Sequence, residues 1–310
     1  MTLLGLDPLE FAPVVESAGE VAAGVSHSLT THPLLSLDSL ADLAEELERL
    51  AVAHGRLRES WPVEHHLSKQ PQVLVGGKPR QATGMSASEM IRGVESNDCW
   101  IVLWNVENSP RYARLLDECL NEIEPLATPR DQTVFREGFV FISAPHTVTP
   151  VHIDPEHNVL LQVTAEKTVA VGRAPSQEAW HREIERVLAG GDRHLPFASV
   201  EEREFLLTPG RGVYIPPFAP HWVRNGPSAC VSLSVTWRTR QYFRSEYVHR
   251  VNRRLRSLGL SPLPPGRSQF RDTLKVRTMA SVIGGRRAMR RMRHPSSGEM
   301  RPEERAATAR

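Results

Sequence analysis

Residues 148–158, VTPVHIDPEHN, place two histidines and an aspartate within six positions, and the chain continues into the aliphatic run VLLQV. If 149–154 is extended, His152 and Asp154 project from the same strand face, because side chains two apart in a strand point the same way. Such a pair offers one imidazole nitrogen and one carboxylate oxygen to a single cation. A mononuclear iron site of the two-histidine, one-carboxylate type then needs a second imidazole and three open positions. The fold class therefore turns on whether the surrounding chain is β-rich and supplies that imidazole.

The periodicity around the stretch is that of strands. From about Phe139 to Trp237 short β-rich runs (FVFIS, NVLLQV, KTVAV, FLLT, GVYI, ACVSLSVTW) alternate with Pro, Gly and Asn punctuation, which predicts a β-sandwich or barrel. One helix interrupts it, capped by Ser176, running through Leu188 and stopping at Gly190-Gly191.

The flanks are more helical. Asp38-Ser39 followed by Leu40, Leu43, Leu47 and Leu50 has the cap and spacing of an amphipathic helix ending near His54. Cys99 to Trp104 reads as a buried strand, and Ser109-Pro110 opens a helix whose inner face is Tyr112, Leu115, Leu116, Cys119, Leu120 and Ile123. Residues 240–257 form an amphipathic helix with Tyr242, Phe243, Tyr247, Val251 and Leu255 on one side. Gly259 stops it, and SPLPPG at 261–266 reads as an extended linker.

Length and composition set bounds on function. A chain of 310 residues buries a sizeable core, and no run of eighteen apolar residues is present to span a bilayer. The N-terminus lacks the basic start and cleavage site of a signal peptide, so a cytoplasmic location is expected, without a membrane partner. Cys99, Cys119 and Cys230 are far apart and fit neither a disulfide framework nor a thiolate zinc site. Residues 284–310 carry eight arginines against three glutamates, a balance of +5 that leaves about −3 for the rest of a chain of net charge +2. Such a block reads as a solvated, disordered tail. No helix-turn-helix or zinc finger is readable, so nucleic acid is not an expected partner, and the basic tail is the one feature that leaves it open.

The best source of the second imidazole is His221, in TPGRGVYIPPFAPHWVRNG. Pro209-Gly210 marks a turn, GVYIP a short strand, and the stiff PPFAP loop delivers His221 just before the next strand. Lone histidines beside strands are more often hydrogen-bonded structural residues, which discounts His146, His157, His181 and the pair His65-His66. Lys167 follows the turn Thr164-Ala165-Glu166 and opens the run KTVAV. On composition alone it reads as a surface lysine at a hairpin end; pointed inward it would be costly unless it met an anion.

These segments resemble the JmjC and cupin-like branch of the iron(II) and 2-oxoglutarate-dependent oxygenases. Thr149-Pro150-Val151-His152-Ile153-Asp154 with Asn158, Gln162 and Lys167 resembles that family's first metal-binding strand and following hairpin, and Pro209-Gly210 through Ile215-Pro216-Pro217 to His221 resembles its approach to the second histidine. In order and spacing they are similar to the motifs of the asparaginyl hydroxylase that modifies hypoxia-inducible factor. The resemblance covers roughly residues 135–240. It implies a mainly β fold with flanking helices, a double-stranded β-helix or jelly-roll. It assigns iron(II) to His152, Asp154 and His221, and the far carboxylate of 2-oxoglutarate to Lys167 and Thr149. Asn158 would lie near the iron or the cosubstrate. The family's turn glycine is replaced here by Ala165, and the asparagine often found late in the last core strand by Thr236, whose hydroxyl could still bond a carboxylate.

The implied organisation is an N-terminal region over 1–134 packing on a jelly-roll core over 135–240, a C-terminal helix and linker over 241–266, and a disordered basic tail over 267–310. The region before 135 and the helix at 176–191 are expected to rim the pocket. The implied activity is an enzyme, a dioxygenase that consumes 2-oxoglutarate and O2 and hydroxylates a C–H bond of a peptide or small-molecule substrate, forming succinate and CO2. The helix over 240–257 could pack on the barrel or form a homodimer face. Two alternatives stay open: a non-catalytic cupin-type binding or regulatory protein, and a metal-dependent cupin enzyme that does not use 2-oxoglutarate.

Overall fold

The computed structural model describes residues 2–6, 11–12, 14–15, 17, 20–53, 63–66, 85–96, 100–129 and 131–293. His54, Cys99 and the last seventeen residues of the expected tail lie outside them. The strands are β1 (Leu4–Gly5), β2 (Ala23–His27), β3 (Val63–His66), β4 (Trp100–Trp104), β5 (Thr133–Ser143), β6 (Val148–His152), β7 (His157–Gln162), β8 (Lys167–Arg173), β9 (Val200–Leu207), β10 (Arg211–Ile215), β11 (His221–Asn225) and β12 (Cys230–Thr239). The helices are α1 (Leu37–Ala53), α2 (Ala87–Arg92), α3 (Pro110–Ala127), α4 (Gln177–Val187), α5 (Arg240–Ser257) and α6 (Gln269–Arg293). The chain divides into two units, one of Met1–Pro129, Glu137–Ala174 and Asp192–Thr236, the other of Arg130–Arg136, Pro175–Gly191 and Trp237–Arg310.

The strands make an eight-stranded sheet of order β1-β2-β10-β7-β12-β5-β4-β3 and a four-stranded sheet of order β6-β11-β8-β9. From β5 onward the chain passes back and forth between them, with β5, β7, β10 and β12 in the large sheet and β6, β8, β9 and β11 in the small one. That alternation is the double-stranded β-helix. In the first unit Leu160, Val213 and Ile215 of the large sheet pack with Val169, Val171, Phe205 and Leu207 of the small one. Each such buried side chain contributes about 1.5–3 kcal/mol relative to exposure. Because strand side chains alternate, the same inward face of β7 carries Asn158 and Gln162, and that of β8 carries Lys167.

The strands on either side of residue 134 share one sheet. β2 pairs antiparallel with β10 and β4 with β5, so strands of the N-terminal region extend the barrel's large sheet. Short strands such as AGVSH satisfy the ladder groups of a sheet edge that would otherwise need water. The first scaffold helix starts one residue before Asp38, with the Ser36 hydroxyl accepting from the Ser39 amide at 3.3 Å, so Ser36 and not Asp38 is the cap. The helix after Ser109-Pro110 and the strand over Trp100–Trp104 form where the spacing predicts them.

In the second unit, α4 begins at its Ser176 cap and α5 at Thr239, whose hydroxyl accepts from the Tyr242 amide. Glu185 of α4 is buried and receives the Arg256 guanidinium of α5 at 3.2 Å. The tail expected to be disordered from 267 is helical over Gln269–Arg293. Its buried residues Asp272, Lys275, Met279 and Ile283 recur at three- and four-residue spacing, which is a helix stripe despite the arginines between them. The 261–266 segment is likewise no free linker. The carbonyl of Leu263 accepts from both Asn252 Nδ2 and Lys275 Nζ, and the Gly266 amide donates to Asp272, tying the turn to α5 and α6. No helix among the described residues is long and apolar enough to cross a membrane.

Candidate metal centre

The first strand of the small sheet ends on the site. β6 stops at His152, two residues before Asp154, so the aspartate sits just past the strand and not within it. Likewise His221 is the first residue of β11, where the sequence places it in the loop before a strand. His152 and His221 are register partners, and so are Thr149 and Val223. Three residues on β6 thus span two on β11, a β-bulge at Pro150-Val151. The bulge corrects the parity: without it Thr149 and His152 would face opposite sides, and with it both follow their partners inward.

The three side chains converge. Asp154 Oδ2 lies 3.7 Å from His152 Nε2 and 3.6 Å from His221 Nε2. Among the described residues this is the only group of three or more His, Cys, Asp or Glu side chains whose ligand atoms all lie within 4.8 Å of one another. Each histidine is locked from behind. His152 Nδ1 donates to the Pro150 carbonyl at 2.8 Å and His221 Nδ1 to the Ala219 carbonyl at 2.9 Å. That fixes the tautomer with Nε2 unprotonated and turned toward the centre, the form a cation requires.

The electrostatics agree with that tautomer. Burial, with help from the facing His221, pushes His152 down to about 3 against the opposing pull of Asp154. Burial alone would raise Asp154, but the Arg193 guanidinium and the two imidazoles outweigh it and hold the carboxyl well below its usual range. His152 is therefore a neutral imidazole and Asp154 a carboxylate at neutral pH.

Deeper in the barrel, Lys167 is only 3% exposed, and its side chain makes no hydrogen bond or ion pair with any described residue. Its backbone pairs with Asn225, while Val171 on the same strand pairs with His221. The ladder from the histidines inward therefore runs His152, His221 and Val171, then Thr149, Val223 and Val169, then Asn225 and Lys167. From the facing sheet, Asn158 accepts from the Ser234 hydroxyl at 2.8 Å, and Thr236 donates its hydroxyl to the Glu137 carbonyl at 2.8 Å. Thr236 is thus left as an acceptor and has no proton to give a carboxylate. His157 faces the other way, bonded to the Tyr214 hydroxyl at 2.7 Å in the buried layer outside the large sheet, as a structural histidine.

Two residues at the centre were not legible in the sequence. Arg193 Nη1 donates to Asp154 Oδ1 at 2.7 Å, 39 residues along the chain. Phe218 has a left-handed backbone (φ 57°), and its amide donates to the Asp154 carbonyl at 2.6 Å, tying the His221 loop to the aspartate. A bulky residue in that region is strained by roughly 1–3 kcal/mol, which such a site stores when its surroundings over-determine the backbone. The PPFAP run was the signal for a stiff loop, but nothing in it announced the sign of φ.

No family model matches the chain. Over 102 residues it is 32% identical to Lysine-specific demethylase JMJ30 of Arabidopsis thaliana, a stretch that is 29% of this chain and 23% of that protein. The chain thus matches under a quarter of that relative's length. Among solved structures, Escherichia coli ycfD aligns over 90% of this chain and 68% of its own with 17% identity and a TM-score of 0.46. The same protein described as a ribosomal oxygenase in complex with cobalt and 2-oxoglutarate aligns with 17% identity over 90% and 67% and a TM-score of 0.46. The DMSP lyase DddQ of Ruegeria pomeroyi aligns over 33% and 38% with 16% identity and a TM-score of 0.23.

Proposed function

We propose that the protein is an iron(II)- and 2-oxoglutarate-dependent oxygenase of the JmjC and cupin-like kind, hydroxylating a C–H bond of a peptide or small-molecule substrate. One observation carries this reading: the Lys167 side chain, 3% exposed and without a hydrogen bond or ion pair to any described residue, faces the same interior as the His152, Asp154 and His221 triad. A triad alone would suit any metal-dependent cupin. A buried cation without a counter-charge is costly and is relieved by an anionic ligand.

Four residues along β8 span about 13 Å at about 3.3 Å per residue, and the lysine side chain bridges part of that distance. A short dicarboxylate reaching from the triad toward Lys167 fits the remainder. The residues present therefore fit both groups: Nε2 of His152 and of His221 with Oδ2 of Asp154 would hold the iron, and Lys167 with the Thr149 hydroxyl would hold the far carboxylate. Asn158 lies on the facing sheet, its carbonyl oxygen already taken by Ser234, with its amide nitrogen as the group to meet the cosubstrate. When bound, the iron and 2-oxoglutarate supply an oxidant from O2, and the balance is 2-oxoglutarate, O2 and R–H giving succinate, CO2 and R–OH.

The chain's own work is positional. Proline-flanked histidines bonded to their own backbones keep Nε2 aimed at the centre, and the Val169, Val171, Phe205 and Leu207 wall keeps water from the barrel interior. The named activity of JMJ30 makes a protein side chain the substrate class to test first. A homodimer is part of the same proposal, because Phe270 is 81% and Leu274 60% exposed on one face of α6. Light scattering on the purified protein reads the dimer directly.

The function is tested by incubating iron-loaded protein with 2-oxoglutarate and cell extract and searching for peptides or metabolites that gain one oxygen. Such species should form together with succinate, and should vanish with His152→Ala. Succinate and oxygenated product at wild-type levels in that variant would refute the assignment.

A further inference from the structure

Asp154 is held from two sides, and the two holds fall on different oxygens. Oδ2 faces the Nε2 atoms of both histidines, whereas Oδ1 receives the Arg193 guanidinium at 2.7 Å. Arg193 is itself fixed by the backbone around it: the Ile153 amide donates to the Arg193 carbonyl at 3.1 Å, the Leu195 amide to the Val151 carbonyl at 3.0 Å, and His152 bridges to His194. Residues 193–195 are therefore held by an isolated antiparallel bridge against the metal-binding segment, and that pairing places the guanidinium beside the carboxylate.

We infer that Arg193 is a positioning residue for the metal, holding Asp154 to one ligand oxygen so that three coordination positions stay open. This rests on the proposed iron and 2-oxoglutarate reading. Carboxylates bind cations through one oxygen or both. With both oxygens engaged, two imidazoles and the carboxylate fill four of six positions. A chelating 2-oxoglutarate would then take the last two and leave none for O2. With Oδ1 bonded to a guanidinium, the second oxygen is occupied by a charge-assisted donor and the count stays at three.

The alternative, that the pair serves stability, is weak on its own terms. The Arg193 side chain is 47% exposed, and ion pairs that open to solvent contribute little to folding. What such a pair does contribute is geometry, since a charge-assisted donor on Oδ1 keeps that oxygen from turning toward the centre.

The test compares the full-length protein with Arg193→Ala, Arg193→Lys and His152→Ala under anaerobic conditions, using iron(II), 2-oxoglutarate, and nitric oxide as a probe of the remaining open position. Wild type and Arg193→Lys should bind iron, show the 2-oxoglutarate absorption band, and give the paramagnetic signal of bound nitric oxide. Arg193→Ala should keep iron and the band but bind nitric oxide at least tenfold more weakly when 2-oxoglutarate is present. Without 2-oxoglutarate it should bind nitric oxide as wild type does. If Arg193→Ala matches wild type with 2-oxoglutarate present, or loses iron altogether, the inference is wrong. If wild type shows neither iron binding nor the band, or His152→Ala binds iron as wild type does, the underlying metal reading fails instead.

Discussion

Lys167 and His221 lie on neighbouring strands of the small sheet, with His221 paired to Val171 and Lys167 four residues earlier on that same strand, so both face inward on one ladder. The triad and the buried ammonium are therefore fixed by a single register. A shift of β8 by one residue would turn Lys167 outward and Thr168 inward.

Lys167→Met tests that ammonium. It removes a buried charge at nearly constant volume, so the protein without ligand should become more stable, by about 1 kcal/mol or more. The same variant should lose the stabilisation that saturating 2-oxoglutarate gives wild type, about 2.7 kcal/mol at a hundredfold excess over Kd. Iron should still bind. Thermal melts with and without 2-oxoglutarate read both effects, and a ligand shift retained in Lys167→Met would place the carboxylate elsewhere.

Ala165 turns the hairpin before Lys167 in the left-handed region, at φ 53°. A Cβ there costs roughly 1–2 kcal/mol, and glycine carries an entropic penalty of only about 0.5–1 kcal/mol in return. Ala165→Gly should thus leave stability unchanged or raise it by up to about 1 kcal/mol in urea melts. A clear loss of stability would show that the methyl group packs in a way the turn depends on.

Gly212 sits in β10 between β7 and β2, where an added Cβ would come within 2.7 Å of the Leu160 carbonyl oxygen and 2.8 Å of side-chain carbons of Leu161 and Val25. Backbone cannot yield there without moving the sheet. Gly212→Ala should destabilise by about 1–3 kcal/mol, as overpacking does. Unchanged melting would mean that the strands separate more easily than their register suggests.

The metal-free protein should lose stability as pH falls below about 6.5. Burial lowers His27 in the folded chain, His152 to about 3 and His181 to about 4, while the unfolded chain titrates near the ordinary 6.5. Between these values the unfolded state binds more protons, so the stability that is complete above 6.5 drains away on acidification toward 4. Asp154 has the opposite reference: its depressed carboxyl contributes fully above its ordinary 3.8 and is lost only at lower pH, outside this window. Unfolding midpoints in a chelator between pH 5 and 7.5 should fall with pH, and His181→Gln should flatten the trend. A midpoint independent of pH would contradict the buried neutral imidazoles.

The β core and the three side chains that converge at its centre were legible because strand periodicity and a short motif coincide. His152 announces itself beside Asp154 and His221 follows a proline-stiffened turn, whereas Lys167 reads on composition as a surface lysine at a hairpin end and only the family resemblance turns it inward. The bulge that turns Thr149 inward was not legible, since Pro150 marks an irregularity without giving its parity. Arg193 lay hidden because its partner is 39 residues away and its neighbours, Asp192 and His194, read as ordinary loop. The α6 stripe of Asp272, Lys275, Met279 and Ile283 was masked by charge: two of its four buried positions are ionisable, and arginine density reads as disorder.

The central claim, that the barrel holds iron(II) and 2-oxoglutarate together between the triad and Lys167, is tested most directly by anaerobic absorption. Adding 2-oxoglutarate to the iron(II)-loaded protein should produce a visible charge-transfer band in wild type. The band should be absent in Asp154→Ala, and should require a much higher 2-oxoglutarate concentration in Lys167→Ala. A wild-type protein that binds iron yet develops no band would contradict the account and favour a metal-dependent cupin that works without 2-oxoglutarate.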